Sequence, residues 1–332
     1  MRVAIVKLSS IGDVVHALPV ANALKARWPA VLVTWVAEAR EATLLYGHPA
    51  IDEVIVADTR GWRRERAGRT AMREALAVAR ALRAGSFAIA LDLQGLVKSG
   101  LITVLTRARR RVGFASGFRR EWVSGIFVNE RVRPPAGARH VVEQYLTLLR
   151  PLGLENPRVE FAVPRDVPAD LRVEEFLSAH GIKPHDRLVL LNPGGAHAAK
   201  RWPTEHFRAV ARRLADEPGV HVVVLWGPGE ETDARTIAEG PGGALVALPT
   251  SLRDVIALAR RAHLMVAGDT GPLHLAAAVG TPCIGLYGPT SGVRNGPYGE
   301  ANRVIQSPDG RLASIPVANV LAAVTAVLEA TA

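Results

Sequence analysis

Short apolar runs alternate with helix-like segments along the whole chain. The runs have the length of β-strands and cover residues 3–8, 31–36, 54–57, 87–91, 188–191, 220–226, 264–267 and 283–287. Strands of a parallel sheet are buried on both faces and are joined by helical crossovers. The alternation therefore predicts an α/β protein in which parallel sheets lie between layers of helices.

A stretch rich in proline, between about residues 150 and 169, divides the chain into two halves. Its hydrophobic periodicity is weak, which is typical of a linker. We therefore expect two Rossmann-like, doubly wound domains, residues 1–160 and 161–312, that face each other across a cleft and bind ligands at the carboxyl ends of their strands. The apolar tail within residues 313–332 is predicted to form a docked C-terminal helix, with packing back on the first domain as one option.

The composition excludes several classes of protein. A chain of 332 residues with 48% hydrophobic residues can bury the cores of two domains, and it has no apolar run long enough to cross a bilayer. Lys7 ends the first apolar run well short of a signal-peptide core, so we expect a cytoplasmic location. Cys283 is the only cysteine, which excludes an intramolecular disulfide and a thiolate metal cluster.

The net charge of +10 belongs to the first half of the chain. Residues 1–165 carry 26 Lys and Arg against 14 Asp and Glu, whereas residues 166–332 carry 15 against 17. A general preference for Arg over Lys contributes to the basicity but does not explain this asymmetry. Two groups of arginines supply much of the excess: Arg60, Arg63, Arg64, Arg66, Arg69 and Arg73, and then Arg107, Arg109, Arg110, Arg111, Arg119 and Arg120.

A basic surface of this kind attracts polyanions such as nucleic acid, anionic lipid headgroups or an acidic glycolipid. Aromatic residues make up only 5% of the chain and do not alternate with the basic runs. Because a nucleic-acid surface commonly stacks bases on aromatic rings, nucleic acid is not the expected partner. The basic half indicates an acidic lipid or glycolipid instead.

The most informative motif in the second half is Gly-Asp-Thr-Gly-Pro-Leu-His at residues 268–274, placed between a predicted strand and a predicted helix over residues 273–279. A strand, a turn with glycine and a helix together aim unpaired backbone N–H groups at one spot, where a phosphate can bind. Asp269 is expected to cap the helix rather than contact a phosphate, because two anions repel. An ordinary crossover turn is the alternative.

Two further turns in the second half carry candidate ligand groups. Asn-Pro-Gly-Gly-Ala at residues 192–196 lets the backbone approach an anion, and Lys200 offers a mobile positive charge to a diphosphate. Glu230 and Glu231 follow the next strand, where an acidic residue commonly accepts hydrogen bonds from ribose hydroxyls. The structural alternatives are a flexible loop with a solvated Lys-Arg pair, and acidic residues that begin a helix.

In the first half, the motif Lys-Leu-Ser-Ser-Ile-Gly-Asp at residues 7–13 places Asp13 on the turn after the opening strand. Capping of the following helix is the favoured role of Asp13. Pro19 leaves another possibility open, because a helix that began near Pro19 would free Asp13 in the loop. A free carboxylate at this position could take a proton from a substrate hydroxyl.

The motif Asp-Leu-Gln-Gly-Leu-Val-Lys-Ser at residues 92–99 repeats the plan of strand, turn and helix. Gln94 and Lys98 would face the same cleft as Asp13. Capping by Asp92 and an extended, partly buried Lys98 are structural alternatives of at least equal weight. His140 precedes an amphipathic run and is most simply a residue that begins a helix.

The motifs that usually hold metals or phosphates are missing from the sequence. It has no P-loop, no H-E-x-x-H motif, no strict G-x-G-x-x-G fingerprint and no Asp-x-Asp pair of the sort that holds a sugar nucleotide's metal. The charge of a phosphate would have to be met by Lys, Arg, His and backbone amides. We therefore expect chemistry that needs neither a metal nor a cofactor.

Taken in order, these motifs resemble those of the lipopolysaccharide heptosyltransferases of glycosyltransferase family 9. The likeness extends over nearly the whole chain: residues 7–13, 92–99, 200–203, 226–231 and 268–274, followed by Leu-Tyr-Gly-Pro at 286–289. Within the family, the motifs at residues 7–13 and 92–99 are most similar to those of heptosyltransferase I. The loop at residues 192–196 is more similar to that of heptosyltransferase II, which leaves the acceptor open.

The resemblance implies a GT-B fold and inverting transfer of heptose from ADP-heptose to the Kdo sugar of the lipopolysaccharide inner core, on Kdo-lipid A. Asp13 is then the general base. The implied nucleotide-sugar site consists of Lys200, Glu230 or Glu231, Asp269, Thr270, Gly271 and His274. The implied acceptor contacts are Ser10, Gly12, Arg60, Arg63, Arg64, Gln94, Lys98, Arg120 and His140.

This implied activity also accounts for the basic half of the chain. An inverting transfer needs one base opposite a departing diphosphate, so a carboxylate on one domain and cations with helix amides on the other suit it. An acidic glycolipid acceptor implies peripheral contact with the cytoplasmic face of the inner membrane. A relative with a different core acceptor or nucleotide sugar, and a non-catalytic protein that binds polyanions, are the alternatives.

Overall fold

The computed structural model of the protein describes residues 1–64, 68–195, 197–240 and 243–330, with only the backbone at residues 63 and 64. The chain divides into two compact units, Met1–Pro164 and Arg165–Ala332. This division falls within the proline-rich stretch, four residues beyond the predicted boundary. Each unit contains a parallel sheet of six strands.

Unit 1 alternates strands and helices from its first residues. Its strands are β1 (Arg2–Val6), β2 (Leu32–Ala37), β3 (Glu53–Val56), β4 (Ile89–Asp92), β5 (Arg110–Phe114) and β6 (Glu130–Val132). Its helices are α1 (Ile11–Arg27), α2 (Ala39–Ala42), α3 (Thr59–Arg64), α4 (Arg69–Ala84), α5 (Val97–Leu105) and α6 (Val141–Thr147). Short 3₁₀ helices lie at Trp122–Ile126 and Arg150–Leu152.

The strand order of the first sheet is β3-β2-β1-β4-β5-β6, and every neighbouring pair is parallel. The chain starts in the middle with β1, moves outwards to β3, and then returns to β4 on the other side of β1. At such a switch point the loops after two adjacent strands leave in opposite directions and open a crevice at the carboxyl ends of the strands. The motifs at residues 7–13 and 92–99 contain these two loops and the first residues of α1 and α5.

Unit 2 repeats the plan. Its strands are β7 (Arg187–Asn192), β8 (Val220–Val224), β9 (Leu245–Val246), β10 (Leu264–Gly268), β11 (Cys283–Tyr287) and β12 (Arg303–Gln306). Its helices are α7 (Val167–Ala179), α8 (Thr204–Ala215), α9 (Glu231–Ala238), α10 (Leu252–Arg261), α11 (Gly271–Ala278), α12 (Gly292–Asn295) and α13 (Val317–Ala330). Short 3₁₀ helices lie at Ala198–Lys200 and Leu312–Ser314.

The second sheet has the order β12-β11-β10-β7-β8-β9 and is also parallel. Its switch point lies between β7 and β10. The loop that begins at Asn192 and the turn after Gly268 therefore lie side by side at the carboxyl ends of these strands. The sequence motifs of the second half thus occupy the same position in their sheet as those of the first half do in theirs.

The sequence analysis predicted the central strands but missed four outer ones. β5 begins with Arg110 and Arg111, and β12 has the sequence Arg-Val-Ile-Gln, so neither is an apolar run. β6 and β9 have only three and two residues. These strands carry little hydrophobic signal because the outer positions of a sheet are covered on fewer sides than its centre.

The C-terminal helix α13 is part of unit 2. Its side chains at Val320, Val324, Val327 and Leu328 lie in the same buried cluster as the strands of the second sheet and as Phe207 of α8. The helix packs into the core of unit 2, so residues 313–330 are part of that unit and do not form a separate segment. The apolar face that the sequence showed in the tail is explained by this packing.

We expect Phe207→Ala to lower the free energy of unfolding by about 3–5 kcal/mol, because it removes a large side chain from a closed core. Phe207 is 1% exposed and its ring packs edge-to-face against Trp202, with 5.1 Å between the ring centroids. Urea unfolding measures the change. Phe176→Ala is the matched control, because Phe176 of α7 is only half-buried. An equal loss in both variants would contradict this account of the core.

Candidate functional site

The two loops at the switch point of unit 1 are held together by one buried side chain. The Gln94 carboxamide oxygen accepts hydrogen bonds from the backbone N–H groups of Leu8 (2.9 Å) and Ser9 (3.3 Å), and its amide nitrogen donates to the Ser9 carbonyl at 2.9 Å. Asp92 fixes the other loop, since its carboxylate accepts from the backbone N–H groups of Gln94 and Gly95 and from the Ser99 hydroxyl. Gln94 therefore shapes the loop that carries Asp13.

Asp13 lies in the first turn of α1, which begins at Ile11 and continues through Pro19. The interpretation in which the helix starts near Pro19 is therefore wrong. Ser10 is the N-cap of α1, and its backbone N–H and hydroxyl donate to Asp13 Oδ2 at 3.2 and 2.9 Å. Asp13 therefore takes part in the capping from the third position of the helix and is not the N-cap itself. Capping and a catalytic role are compatible here, because the same carboxylate also has other partners.

Three side chains converge on the Asp13 carboxylate. Lys7 Nζ lies 3.4 Å from Oδ1, the Tyr145 hydroxyl donates to Oδ1 at 3.3 Å, and Arg120 Nη2 lies 3.2 Å from both oxygens. Lys7 also donates to the Tyr145 hydroxyl at 2.8 Å. The Lys7 side chain is 1% exposed, whereas that of Arg120 is 55% exposed. Asp13 thus has one buried and one solvent-accessible cation.

These partners keep Asp13 ionised. Burial alone would raise its pKa, but the charges of Lys7 and Arg120 and the hydrogen bonds from Ser10 outweigh burial and hold the pKa well below its usual range. Lys7 shows the opposite balance. Burial lowers its pKa to about 8, although the Asp13 carboxylate acts to raise it. Both groups carry their charges at neutral pH.

A second polar cluster lies at the carboxyl ends of β2 and β3. The buried Glu38 carboxylate accepts from Lys98 Nζ at 2.9 Å, from the Thr59 hydroxyl and from the Arg60 backbone N–H. The Arg60 guanidinium lies 3.4 Å from the buried Glu41 carboxylate. Lys98 is therefore paired with an acid rather than merely extended over apolar surface. The carboxylates hold both cations at this edge of the sheet.

The remaining first-half candidates have different surroundings. His140 is the N-cap of α6, where its Nδ1 accepts a hydrogen bond from the Val142 backbone N–H, which confirms it as a residue that begins a helix. The side chains of Arg63 and Arg64 lie outside the described part of the structure. Gly12 is buried in the first turn of α1, next to Asp13.

Sequence reasoning missed Tyr145 and Glu38. Tyr145 lies on α6, far along the chain from Asp13, and its place in an amphipathic run indicated only burial. Glu38 directly follows β2, so the rule that ligand groups follow parallel strands could have found it.

In unit 2, the turn after β10 meets the loop after β7. The Asn192 amide donates to the Thr270 hydroxyl at 3.1 Å, and Thr270 is the N-cap of α11, which begins at Gly271. The helix therefore starts two residues earlier than predicted. Its first turn, with backbone N–H groups that have no partner inside the helix, faces the carboxyl ends of β7 and β10.

Asp269 does not cap α11, which corrects the prediction from sequence. Its Oδ2 atom lies 2.6 Å from Lys200 Nζ, and its Oδ1 atom lies 3.1 Å from His274 Nε2. Burial alone would raise the Asp269 pKa, but His274 and Lys200 outweigh burial and hold the pKa far below its usual range. Asp269 thereby orients two basic side chains beside the N-terminus of the helix.

The structure distinguishes Glu230 from Glu231. The Glu230 carboxylate accepts from the backbone N–H groups of Gly195 (3.0 Å) and Gly227 (2.9 Å), and its Oε1 atom lies 3.3 Å from Arg201 Nη2. Glu231 pairs instead with Arg235 one turn along α9. Glu230 therefore lies at the loop after β7, while Glu231 does not. A side chain at Gly194 would overlap the Glu230 carboxylate, which explains a glycine there.

Each unit thus presents a distinct kind of chemistry. Unit 1 offers an ionised carboxylate beside exposed cations, which can accept a proton while binding an acidic molecule. Unit 2 offers Lys200, His274 and the N-terminus of α11, which can bind an anion such as a diphosphate. Among the described residues, no group of three or more His, Cys, Asp or Glu is arranged to hold a metal ion.

Sequence comparison decides the family. A model of glycosyltransferase family 9 (heptosyltransferase) matches residues 75–319. The lipopolysaccharide heptosyltransferase 1 of Escherichia coli strain K12 is 32% identical over 319 residues, which cover 95% of this chain and 96% of that relative. The chain belongs to glycosyltransferase family 9. It is therefore a glycosyltransferase, as the ordered motifs predicted.

Solved structures of this family have the same fold. The E. coli heptosyltransferase WaaC with ADP is similar with a TM-score of 0.84 and 29% identity, covering 98% of this chain and 100% of that one. The E. coli WaaC structure with ADP-2-deoxy-2-fluoro heptose is similar with a TM-score of 0.81 and 30% identity over both full chains. These similarities confirm the predicted GT-B class, with two parallel sheets flanked by helices.

Proposed function

We propose that this family 9 glycosyltransferase moves heptose from ADP-heptose to the Kdo sugar of the lipopolysaccharide inner core, on Kdo-lipid A, with inversion at the anomeric carbon. The observation that carries the proposal is the ionised Asp13 carboxylate, which Lys7 and Arg120 hold at the switch point of unit 1. The names of the relatives, lipopolysaccharide heptosyltransferase 1 and WaaC with ADP, support the same substrate classes.

On the acceptor side, Asp13 removes the proton from the attacking hydroxyl. With both cations beside it, Asp13 is a weak base, because its pKa lies far below that of a sugar hydroxyl. The exposed Arg120 can exchange Asp13 for an anionic group of the acceptor. Asp13 then loses one of its two cations, and its pKa and basicity rise at the moment when the hydroxyl arrives.

We propose further acceptor contacts on the same unit. Arg60 and Lys98 are held at the same edge of the sheet by Glu41 and Glu38 and would bind the acid groups of the glycolipid. We assign the remaining contacts to Ser10, Gly12, Arg63, Arg64 and His140. Gln94 would contribute through the loop that it holds.

On the donor side, Lys200, His274, Thr270 and Gly271 would bind the diphosphate and stabilise the charge that develops on it as the glycosidic bond breaks. Asp269 orients Lys200 and His274 for this role. Glu230 is our candidate for the ribose contact rather than Glu231, because only Glu230 reaches the loop after β7. The WaaC structures with ADP and with a fluorinated ADP-heptose support this class of donor.

The proposal is tested by measuring ADP release with purified protein, ADP-heptose and Kdo-lipid A. Product formation with this pair, and none when the Kdo sugar is missing, would support the proposal. A panel of UDP- and GDP-sugars tests the alternative of another donor. A heptose-bearing core acceptor tests a heptosyltransferase II-like role, which the Asn-Pro-Gly-Gly sequence at residues 192–195 favours. Tight polyanion binding without turnover would favour the non-catalytic alternative.

We expect the activity to be independent of metal ions. Lys200 supplies positive charge, beside the His274 ring and the N-terminus of α11, where a divalent cation would otherwise neutralise the departing diphosphate. Treatment with EDTA should change kcat by less than about twofold, measured as ADP release. A loss of activity with EDTA that magnesium or manganese restores would show that the protein side chains do not suffice.

We expect Lys7→Met to move the acidic limb of the kcat profile, which reports the complex in which Arg120 has left Asp13, about 1–3 pH units higher, because an opposite charge within a few ångströms lowers the pKa of a carboxylate by that amount. Asp13 must be ionised to accept a proton, and removal of Lys7 raises the pKa at which it ionises. Methionine has a similar length and suits a buried position. Tyr145→Phe is the comparison variant, because it removes one hydrogen bond to Asp13 but keeps both cations, and it should move the limb less than Lys7→Met does. An unshifted limb in Lys7→Met would contradict the role of Lys7.

The same activity implies a location. The chain would act at the cytoplasmic face of the inner membrane, where it would meet its lipid acceptor as a peripheral protein. No helix in the described ranges is long and apolar enough to cross a bilayer.

A further inference from the structure

Six large apolar side chains of unit 1 are exposed on neighbouring elements. Their exposed fractions run from 42% to 81%: Met72 and Leu76 on α4, Leu101 and Val104 on α5, and Trp122 and Ile126 in the 3₁₀ helix that follows β5. We call these six residues the apolar surface. Single exposed apolar residues are common, but a group on adjacent elements indicates an interface.

The elements that carry the apolar surface are in contact. α5 contacts both α4 and the 3₁₀ helix. Leu101 and Val104 are three residues apart in α5, and Met72 and Leu76 are four apart in α4, so each pair shares one face of its helix. Glu74, which accepts a hydrogen bond from the Trp62 indole N–H of α3, lies on the opposite flank of α4 from Met72 and Leu76. The six side chains therefore lie along one continuous outer face.

Positive charge borders this face. The exposed arginines are Arg69, Arg73, Arg80 and Arg83 on α4, with Arg107 and Arg109 after α5. Within the described residues, none of these six arginines has a carboxylate within ion-pair distance. Glu74, the single acid of α4, is bonded to Trp62. The guanidinium groups are thus available to phosphates outside the protein.

The apolar surface also adjoins the candidate acceptor site. Arg120, which pairs with Asp13, precedes Trp122 by two residues, and the intervening Glu121 accepts a hydrogen bond from the Val97 backbone N–H at the start of α5. A molecule that approaches Asp13 past Arg120 would therefore start close to the apolar surface.

We propose that the apolar surface docks unit 1 on a bilayer that contains anionic phospholipids. Tryptophan and aliphatic side chains partition into the boundary between headgroups and acyl chains, while arginines bind the lipid phosphates. A second copy of the chain fits this face less well, because two arginine borders would then repel each other. The inference rests on the proposed function, which supplies a lipid-borne acceptor, and it adds the surface through which the protein reaches that lipid.

The test is co-sedimentation of the full-length protein with vesicles of phosphatidylglycerol and phosphatidylcholine. We expect binding that weakens with salt, and a partition coefficient at least about 10-fold lower for Leu101→Ser/Trp122→Ser/Ile126→Ser. The matched control is Val167→Ser/Leu171→Ser/Val293→Ser, which removes apolar side chains of similar exposure, 64% to 67%, from unit 2. Absence of wild-type binding, or an equal loss in both triple variants, would overturn the proposal. So would a dimer, seen by sedimentation velocity, that only the first variant abolishes.

Activity assays separate this inference from the proposed function. With a water-soluble, deacylated Kdo acceptor, the Leu101→Ser/Trp122→Ser/Ile126→Ser variant should turn over at the wild-type rate. With Kdo-lipid A in anionic vesicles, its rate should fall at least about fivefold. Wild-type vesicle binding without turnover of either acceptor would reject the proposed function and leave docking standing. Turnover of the soluble acceptor without vesicle binding would reject docking alone.

Discussion

Asp13→Asn is expected to lower kcat by about 100- to 10,000-fold, the contribution that a well-placed general base makes to proton transfer. Asparagine has nearly the same shape and can still accept the hydrogen bonds from Ser10 that cap α1. It cannot take up a proton from the acceptor hydroxyl. The KM for ADP-heptose should stay close to the wild-type value, because Asp13 belongs to unit 1 and the candidate donor groups belong to unit 2.

The measurement is steady-state ADP release with saturating donor and acceptor. Asp216→Asn makes the same chemical change at an exposed position in unit 2 and should leave kcat unchanged. Thermal unfolding of both variants checks that the fold is intact. A kcat within about threefold of wild type in a folded Asp13→Asn protein would remove the base from the mechanism.

Lys200→Met has the second large expected effect, a fall in kcat/KM for ADP-heptose of about 100- to 1,000-fold. The variant loses the cation that would stabilise the leaving diphosphate. It also leaves the Asp269 carboxylate with one basic partner fewer, at the place where an anion must bind. The two effects act in the same direction. Lys183→Met, at an exposed lysine of the same unit, is the matched control and should bind donor as the wild type does.

A double-mutant cycle isolates the contribution of Asp269. In Lys200→Met/Asp269→Asn the unbalanced carboxylate is gone, so the double variant should lose less than the product of the two single effects. Isothermal titration with ADP measures binding, and ADP release measures turnover. Additive losses would show that Asp269 does not act through Lys200.

The sequence predicted where the candidate ligand groups lie better than it predicted which side chains they contact. Apolar runs separated by helices imply a parallel sheet, and the polar residues directly after those runs must then lie at the carboxyl edge of that sheet. Asp13, Gln94, Thr270 and Glu230 all lie at this edge in their units. Outer strands such as β9 and β12 were missed, because short or charged strands leave no hydrophobic pattern.

The pairings of the charged residues could not be read from the chain. The sequence predicts that Asp269 caps a helix, but the Asp269 carboxylate bonds to Lys200, which is 69 residues away in sequence. The two acids Glu230 and Glu231 are equivalent in sequence, and only the approach of the loop with Gly195 distinguishes them. Such choices depend on distances across loops, which hydrophobic periodicity does not encode.

By itself, the sequence determined the α/β class, the two halves and the edge of each sheet where the candidate ligand groups lie, because the period of apolar residues fixes the elements and their burial. The tertiary structure alone decided that Lys7 and Tyr145 reach Asp13, and that α5, with its exposed apolar residues, contacts both α4 and the 3₁₀ helix, which carry the others. The physical reason is that ion pairs and surfaces are made by residues from distant parts of the chain, whose approach is fixed only when helices pack on the sheet.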